Sequence, residues 1–126
     1  MTLPPKVLVL CEDKEVRTAL KQSLKRCHVR GVYCRSTVAL RRALAAHAGD
    51  AVVYAGEQPG SKLRDVMEWP EIRAARVPVI AVSRSGEIHD YLAAMEAGAF
   101  DYMARPLQCG ELSRIVMSAV DQGRAA

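Results

Sequence analysis

No stretch of this sequence approaches the ~20 consecutive apolar residues that a membrane-crossing helix needs. Its first residues, "MTLPPKVLVLCEDK", make no secretion signal, because the apolar run is short and ends in acids. A cytoplasmic location and no membrane partner are therefore expected. The four cysteines, Cys11, Cys27, Cys34 and Cys109, are scattered, without a C-x-x-C pair or a histidine at metal-ligand spacing. That argues against a zinc module and predicts reduced thiols. Nothing resembles G-x-G-x-x-G or G-x-x-x-x-G-K-[ST], so a phosphate-cradling glycine loop is missing. His28, His47 and His89 fall in or beside helical segments, and Ser83 has no histidine near it in sequence. A nucleophile with its base is thus missing too, and an enzyme is not expected. The basic residues are spread over Lys21, Lys25, Arg26, Arg41, Arg42, Arg73 and Arg76 with no aromatics interleaved. The formal net charge of +4 then describes a solvated, mildly basic surface, and no direct nucleic-acid binding is expected.

What is present is regular alternation. "KVLVL" (6–10) is a continuous apolar run, the mark of a strand buried on both faces. The next segment switches to helical period through Val16, Ala19, Leu20, Leu24 and Cys27, with Asp13 as its N-cap. Strands follow over 29–34, 50–55, 77–83 and 99–104. Between them a helix opens at Ser36 and stops at Gly49, and a short one carries Leu63, Val66 and Met67 and ends at Trp69-Pro70. Another helix places Ile88, Leu92 and Met95 on one face and stops at Gly98. A closing helix runs through Leu112, Ile115, Val116, Ala119 and Val120. The 126 residues make one domain, 1–126, with a core over about 5–122 and a tail or linker start at 123–126. Five strand–helix units predict an α/β fold: a five-stranded parallel sheet in the order 2-1-3-4-5, helices on both faces, flavodoxin-like.

In such a fold the site lies at the C-terminal strand ends. Strand 1 delivers Cys11, Glu12 and Asp13 there, and strand 3 delivers Ala55 with Gly56 and Glu57 behind it. Strand 4 ends at Ser83 and strand 5 at Arg105-Pro106. The alanine stands out, because a methyl side chain carries no chemistry. Asp50 starts the same strand, but five residues at about 3.3 Å each put it ~16 Å away on the opposite edge.

These residues carry a resemblance. The segments "KVLVLCEDKEVRTAL", "DAVVYAGEQPG", "VPVIAVSRSG" and "AMEAGAFDYMARPL" resemble successive parts of the receiver domain of response regulators, CheY-like modules of two-component phosphorelay signalling. The last two segments are the specific ones. The resemblance implies that the phosphoryl-accepting aspartate falls on Ala55 and the two metal-binding acids on Cys11 and Glu12. It puts the phosphoryl-contacting hydroxyl on Ser83, the invariant lysine on Arg105 and the switch aromatic on Tyr102. It also implies a cis peptide before Pro106.

A carboxylate nucleophile is needed to form an acyl phosphate, and Mg²⁺ wants oxygen ligands in octahedral array. A pseudo-receiver is therefore expected, with no catalytic residue, no cofactor, and weak or absent Mg²⁺ binding at the remnant Glu12. It would act through a protein partner or a covalently linked output domain. The family's helix 4–strand 5–helix 5 face, here His89, Asp90, Tyr91, Ala93, Glu96, Ala97, Arg114 and Asp121, would carry those contacts or a homodimer. Two alternatives stay open on the same fold: a redox sensor using Cys11, and a small-ligand or anion-binding module using Ser83 and Arg105. Arg105, deprived of its acceptor, is expected to pair with Glu12 or Glu57 or to turn to solvent.

Overall fold

The computed structural model describes residues 5–56, 61–83 and 87–125. Its strands are β1 (Lys6–Leu10), β2 (Arg30–Cys34), β3 (Ala51–Ala55), β4 (Val79–Ser83) and β5 (Asp101–Ala104). They form one parallel sheet in the order β2-β1-β3-β4-β5, as the strand pattern predicts. The helices among the described residues are α1 (Lys14–Arg26), α2 (Thr37–Ala45), α3 (Ser61–Glu68), α4 (Pro70–Ala75), α5 (Ile88–Glu96) and α6 (Cys109–Ala125).

Alternation along the strands divides the core in two. Val7, Val9, Val53, Ile80 and Met103 face α1 and α6, meeting Leu20, Leu24, Leu112, Ile115 and Val116. Leu8, Leu10, Val52, Tyr54 and Ala81 face the other way, against Leu40, Leu44, Leu63, Ile72 and Ala94. Both faces of β1, β3 and β4 are covered, which is why those strands read as unbroken apolar runs. Register brings the tips into line: Leu10 lies opposite Cys34 and Tyr54, Ala55 opposite Val82, and Ser83 opposite Ala104. At the far edge the Asp50 carboxylate accepts the backbone N–H of Lys6 at 3.1 Å, so it is a turn residue remote from the tips.

Four features depart from the sequence reading. The chain does not run on to β4 after Trp69-Pro70 but makes a further helix, α4, with Pro70 in its first turn and Arg76 closing it in the left-handed region (φ 53°). Helix α2 ends at Ala45, and His47 takes the positive φ (51°) that reverses the chain. Gly49 has a different role, close approach: a Cβ there would stand 2.7 Å from Leu8 Cγ and 3.2 Å from the Lys6 carbonyl oxygen.

Helix α5 packs through its alanines. Ala94 is fully buried, as Ala97 is nearly, while Ile88 (74% exposed), Tyr91 (40%) and Leu92 (50%) face outward. Small residues let the helix lie close on the sheet, and the larger apolar side chains are left on the opposite face. The fourth departure is covalent. Cys27 and Cys109 are joined in a disulfide, whereas all four thiols were expected to be reduced; 82 residues of sequence separate the pair, a closeness that spacing cannot show. Gly98 ends α5 with φ 105°, and the Arg105–Pro106 peptide is cis, both as expected.

Candidate functional site

The strand tips form the floor of a cavity of about 620 Å³, lined among others by Cys11, Glu12, Asp13, Tyr54, Ala55, Lys62, Asp65, Trp69 and Arg105. That volume lies within the range of small-molecule sites. Asp13 is the N-cap of α1: its Oδ1 accepts from the backbone N–H of Glu15 (2.8 Å) and Val16 (3.2 Å). The cap fixes where α1 starts and orders the backbone around Cys11. Arg17 adds a second tie, its Nη1 donating to the Cys11 carbonyl oxygen at 3.0 Å.

Cys11 is 1% exposed and its thiol donates to the Asp13 carbonyl oxygen at 3.3 Å. Burial pushes this thiol up from its ordinary range, outweighing the lowering effect of that hydrogen bond and of Arg17 and Arg105 nearby. A buried, protonated thiol is a poor nucleophile, which weighs against a redox role for Cys11. Glu12 is exposed at the cavity mouth, and Ala55 is half-buried at its floor. Tyr54, next to it, turns to the other side of the sheet, where its ring covers Gly56; a Cβ at Gly56 would stand 3.1 Å from Tyr54 Cε1. Burial, then the charges of Glu12 and Asp65, hold the Tyr54 hydroxyl above the ordinary phenol range.

Ser83 is 1% exposed and does not line the cavity. Its carbonyl oxygen accepts the backbone N–H of Arg105 at 2.8 Å. Arg105 is half-buried. Among the described residues no ion pair joins it to Glu12. Glu57, the reserve acid, lies outside the described residues. The expected cross-pocket pair with Glu12 is thus not made, because Glu12 stays in solvent at the mouth while Arg105 is held from below through its backbone.

Sequence reasoning missed the far wall. Trp69, read as a helix end, caps α4 and lines the cavity. Arg41 of α2 lies 5.3 Å over its ring and forks onto Glu71, with Nη2–Oε1 at 3.0 Å and Nε–Oε2 at 3.1 Å. The hydrogen bond from Arg41 holds the Glu71 carboxyl below its usual range. The pair is exposed, so its value lies in placing the indole, not in stability.

Donor chemistry bears on the metal question. Mg²⁺ takes carboxylate, carbonyl and water oxygens. Here the corresponding positions hold a buried thiol, a methyl group and one carboxylate, and Asp13 Oδ1 is taken up by the α1 cap. No cluster of three or more His, Cys, Asp or Glu able to hold a metal occurs among the described residues. These residues do not fit the ion.

Tyr102 is buried (8% exposed), and its ring meets Tyr91 of α5 edge-on, with centroids 6.1 Å apart at 83°. Of the residues expected to form a partner face, His89, Tyr91, Glu96, Arg114 and Asp121 are exposed, while Asp90 and Ala93 are half-buried. Ala97 must be withdrawn: it is 8% exposed and packs in the core. Ile88 and Leu92 replace it on the surface, a substitution that follows from the inward turn of the alanines.

No family model matches this sequence. The chain is 32% identical over 116 residues to the DNA-binding transcriptional regulator NtrC of Rhizobium meliloti, a match covering 90% of this chain and 24% of that protein. It is 24% identical over 115 residues to the response regulator protein PilR of Pseudomonas aeruginosa, covering 91% of this chain and 26% of PilR. The chain thus spans about a quarter of the length of these relatives. Among solved structures, the receiver domain of the sensor histidine kinase PA1611 of Pseudomonas aeruginosa superposes with a TM-score of 0.72 at 21% identity, covering 94% of this chain and 99% of that one. That structure holds a magnesium ion in its active-site cleft. No helix among the described residues is long and apolar enough to cross a membrane. Sheet order, strand-tip segments and relatives agree: this chain is a response-regulator receiver domain of the two-component, CheY-like kind.

Proposed function

We propose that this receiver signals without aspartyl phosphorylation, through protein contacts made to a linked output domain or a separate partner in the cytoplasm. The observation that carries the proposal is Ala55 at the tip of β3, where a nucleophilic carboxylate would have to stand. The thiol of Cys11 and the exposed Glu12 support it, since they leave Mg²⁺ without a ligand set. No enzymatic activity is assigned to the domain. Relatives about four times as long, one of them a DNA-binding transcriptional regulator, support a linked output domain.

The outward face of α5 supports the contact surface. Ile88, Tyr91 and Leu92 lie together there, with His89 and Glu96 at the margin. An apolar helix face rimmed by polar side chains is the composition of an interface, and we assign it to self-association. Leu92→Asp should shift sedimentation from dimer to monomer. Because Leu92 is half-exposed, the change should alter stability by no more than about 0.5 kcal/mol. Beryllofluoride with Mg²⁺ should leave the sedimentation of both proteins unchanged. A beryllofluoride-driven rise in the dimer fraction would contradict the proposal.

A further inference from the structure

We propose that Cys27 and Cys109 form a reversible dithiol–disulfide site, oxidised by small disulfides of the glutathione class, that fastens the start of α6 to the end of α1. Their Cα atoms are 5.4 Å apart, within the span a disulfide bridges. Both residues are half-buried, not sealed in the core. The neighbouring Gly110 is exposed, and a Cβ added there would meet nothing within 4 Å. The other two thiols contrast sharply. Cys11 and Cys34 are 1% and 3% exposed, and burial raises both out of the reactive range. The redox chemistry of this chain is therefore located away from the strand tips, on the α1–α6 side.

The ends of the two helices divide the roles. Cys109 is the first residue of the 17-residue α6, where the positive end of the helix favours a thiolate. Cys27 is the C-cap of α1, its N–H donating to the Ser23 carbonyl oxygen, and the negative helix end there disfavours one. Cys109 attacks first. It loses its proton to solvent, and its thiolate attacks one sulfur of the small disulfide, forming a mixed disulfide and expelling one thiolate that takes up a proton. Cys27, deprotonated in turn, attacks Sγ of Cys109, closing the protein disulfide and expelling the second small thiol. Two protein thiols are oxidised and one small disulfide is reduced to two thiols.

The bond bears on the cavity. Cys109 lies four residues beyond Arg105 in the sequence, and the buried Leu107 stands between them. In the oxidised chain the first turn of α6, where the Leu112 N–H donates to Gln108 at 2.8 Å, is fixed to the end of α1. In the reduced chain that covalent tie is absent.

The test equilibrates the whole chain with a series of reduced-to-oxidised glutathione ratios, quenches in acid, alkylates in denaturant and maps the cysteines by mass. Cys27 and Cys109 should convert together at intermediate ratios, with Cys11 and Cys34 alkylated throughout. The oxidised chain should melt roughly 10 °C above the reduced one. Hydrogen exchange at residues 110–112 should be slower when oxidised. Reduced wild type and Cys109→Ser should melt together, which separates loss of the bond from damage by the substitution. Three results would overturn the proposal: no disulfide at any ratio, a disulfide that persists at every ratio, or glutathione adducts that never close onto the second cysteine.

Discussion

Supplying the missing carboxylates should switch Mg²⁺ binding on. The Cys11→Asp/Ala55→Asp variant would present three acids at the strand tips, the two introduced and Glu12, all lining the cavity floor or mouth. Without metal it should be less stable than the wild type, because position 11 is 1% exposed and an unpaired carboxylate buried there is costly. Mg²⁺ should return part of that loss: at ten times its Kd a ligand that binds only the folded state adds about 1.4 kcal/mol. For a domain of this size that is a rise of roughly 5 °C in Tm. The wild type should show no such rise at matched ionic strength. Ala55→Asp alone should respond weakly, since the thiol still occupies the neighbouring ligand position. A melting curve with and without Mg²⁺ for the three proteins is sufficient. Equal stabilisation of the wild type would mean that its cavity binds the ion after all.

The largest loss of stability should come from Leu8. It sits at the middle of β1, fully buried, between α2 and the centre of the sheet. Leu8→Ala should cost about 3 kcal/mol, transfer and cavity terms together, and lower Tm by roughly 10 °C. Gly49 adds a check on the geometry. Gly49→Ala in the wild type forces a methyl group to 2.7 Å from Leu8 Cγ, so it should destabilise. In the Leu8→Ala background that contact is gone, and the same substitution should cost less. A urea-denaturation cycle on the four proteins measures the coupling. Additive effects would show that Leu8 does not press on Gly49.

The sheet was legible because its strands are buried on both faces. "KVLVL" and "VPVIAVS" carry a polar residue only at one end, Lys6 and Ser83, and each lands within two residues of β1 and β4. The strand tips followed from strand order alone, so Cys11, Ala55 and Arg105 were placed at one cavity before any contact was known. What the sequence concealed has physical causes. Helix α5 has two candidate faces, one of large apolar residues and one of alanines. Hydrophobicity favours burying the first, but close packing on the sheet selects the second. Proline at Trp69-Pro70 looked like a stop, yet its fixed φ suits the first turn of α4 equally well. The Cys27–Cys109 bond joins residues brought together only by the docking of α1 and α6 on one sheet face. Glu12 and Arg105 looked like partners by topology, but a tip residue can point into solvent, and Glu12 does.

The central claim is that the domain has lost phosphoryl transfer to its β3 tip. Intact-mass measurement after incubation with acetyl phosphate and Mg²⁺ tests it most directly. The Ala55 side chain offers no oxygen to attack phosphorus, and among the described residues no cluster of three His, Cys, Asp or Glu could hold a metal ion. The mass of the wild type should stay unchanged. A stable gain of one phosphoryl group, mapped to any residue of the cavity, would contradict the account.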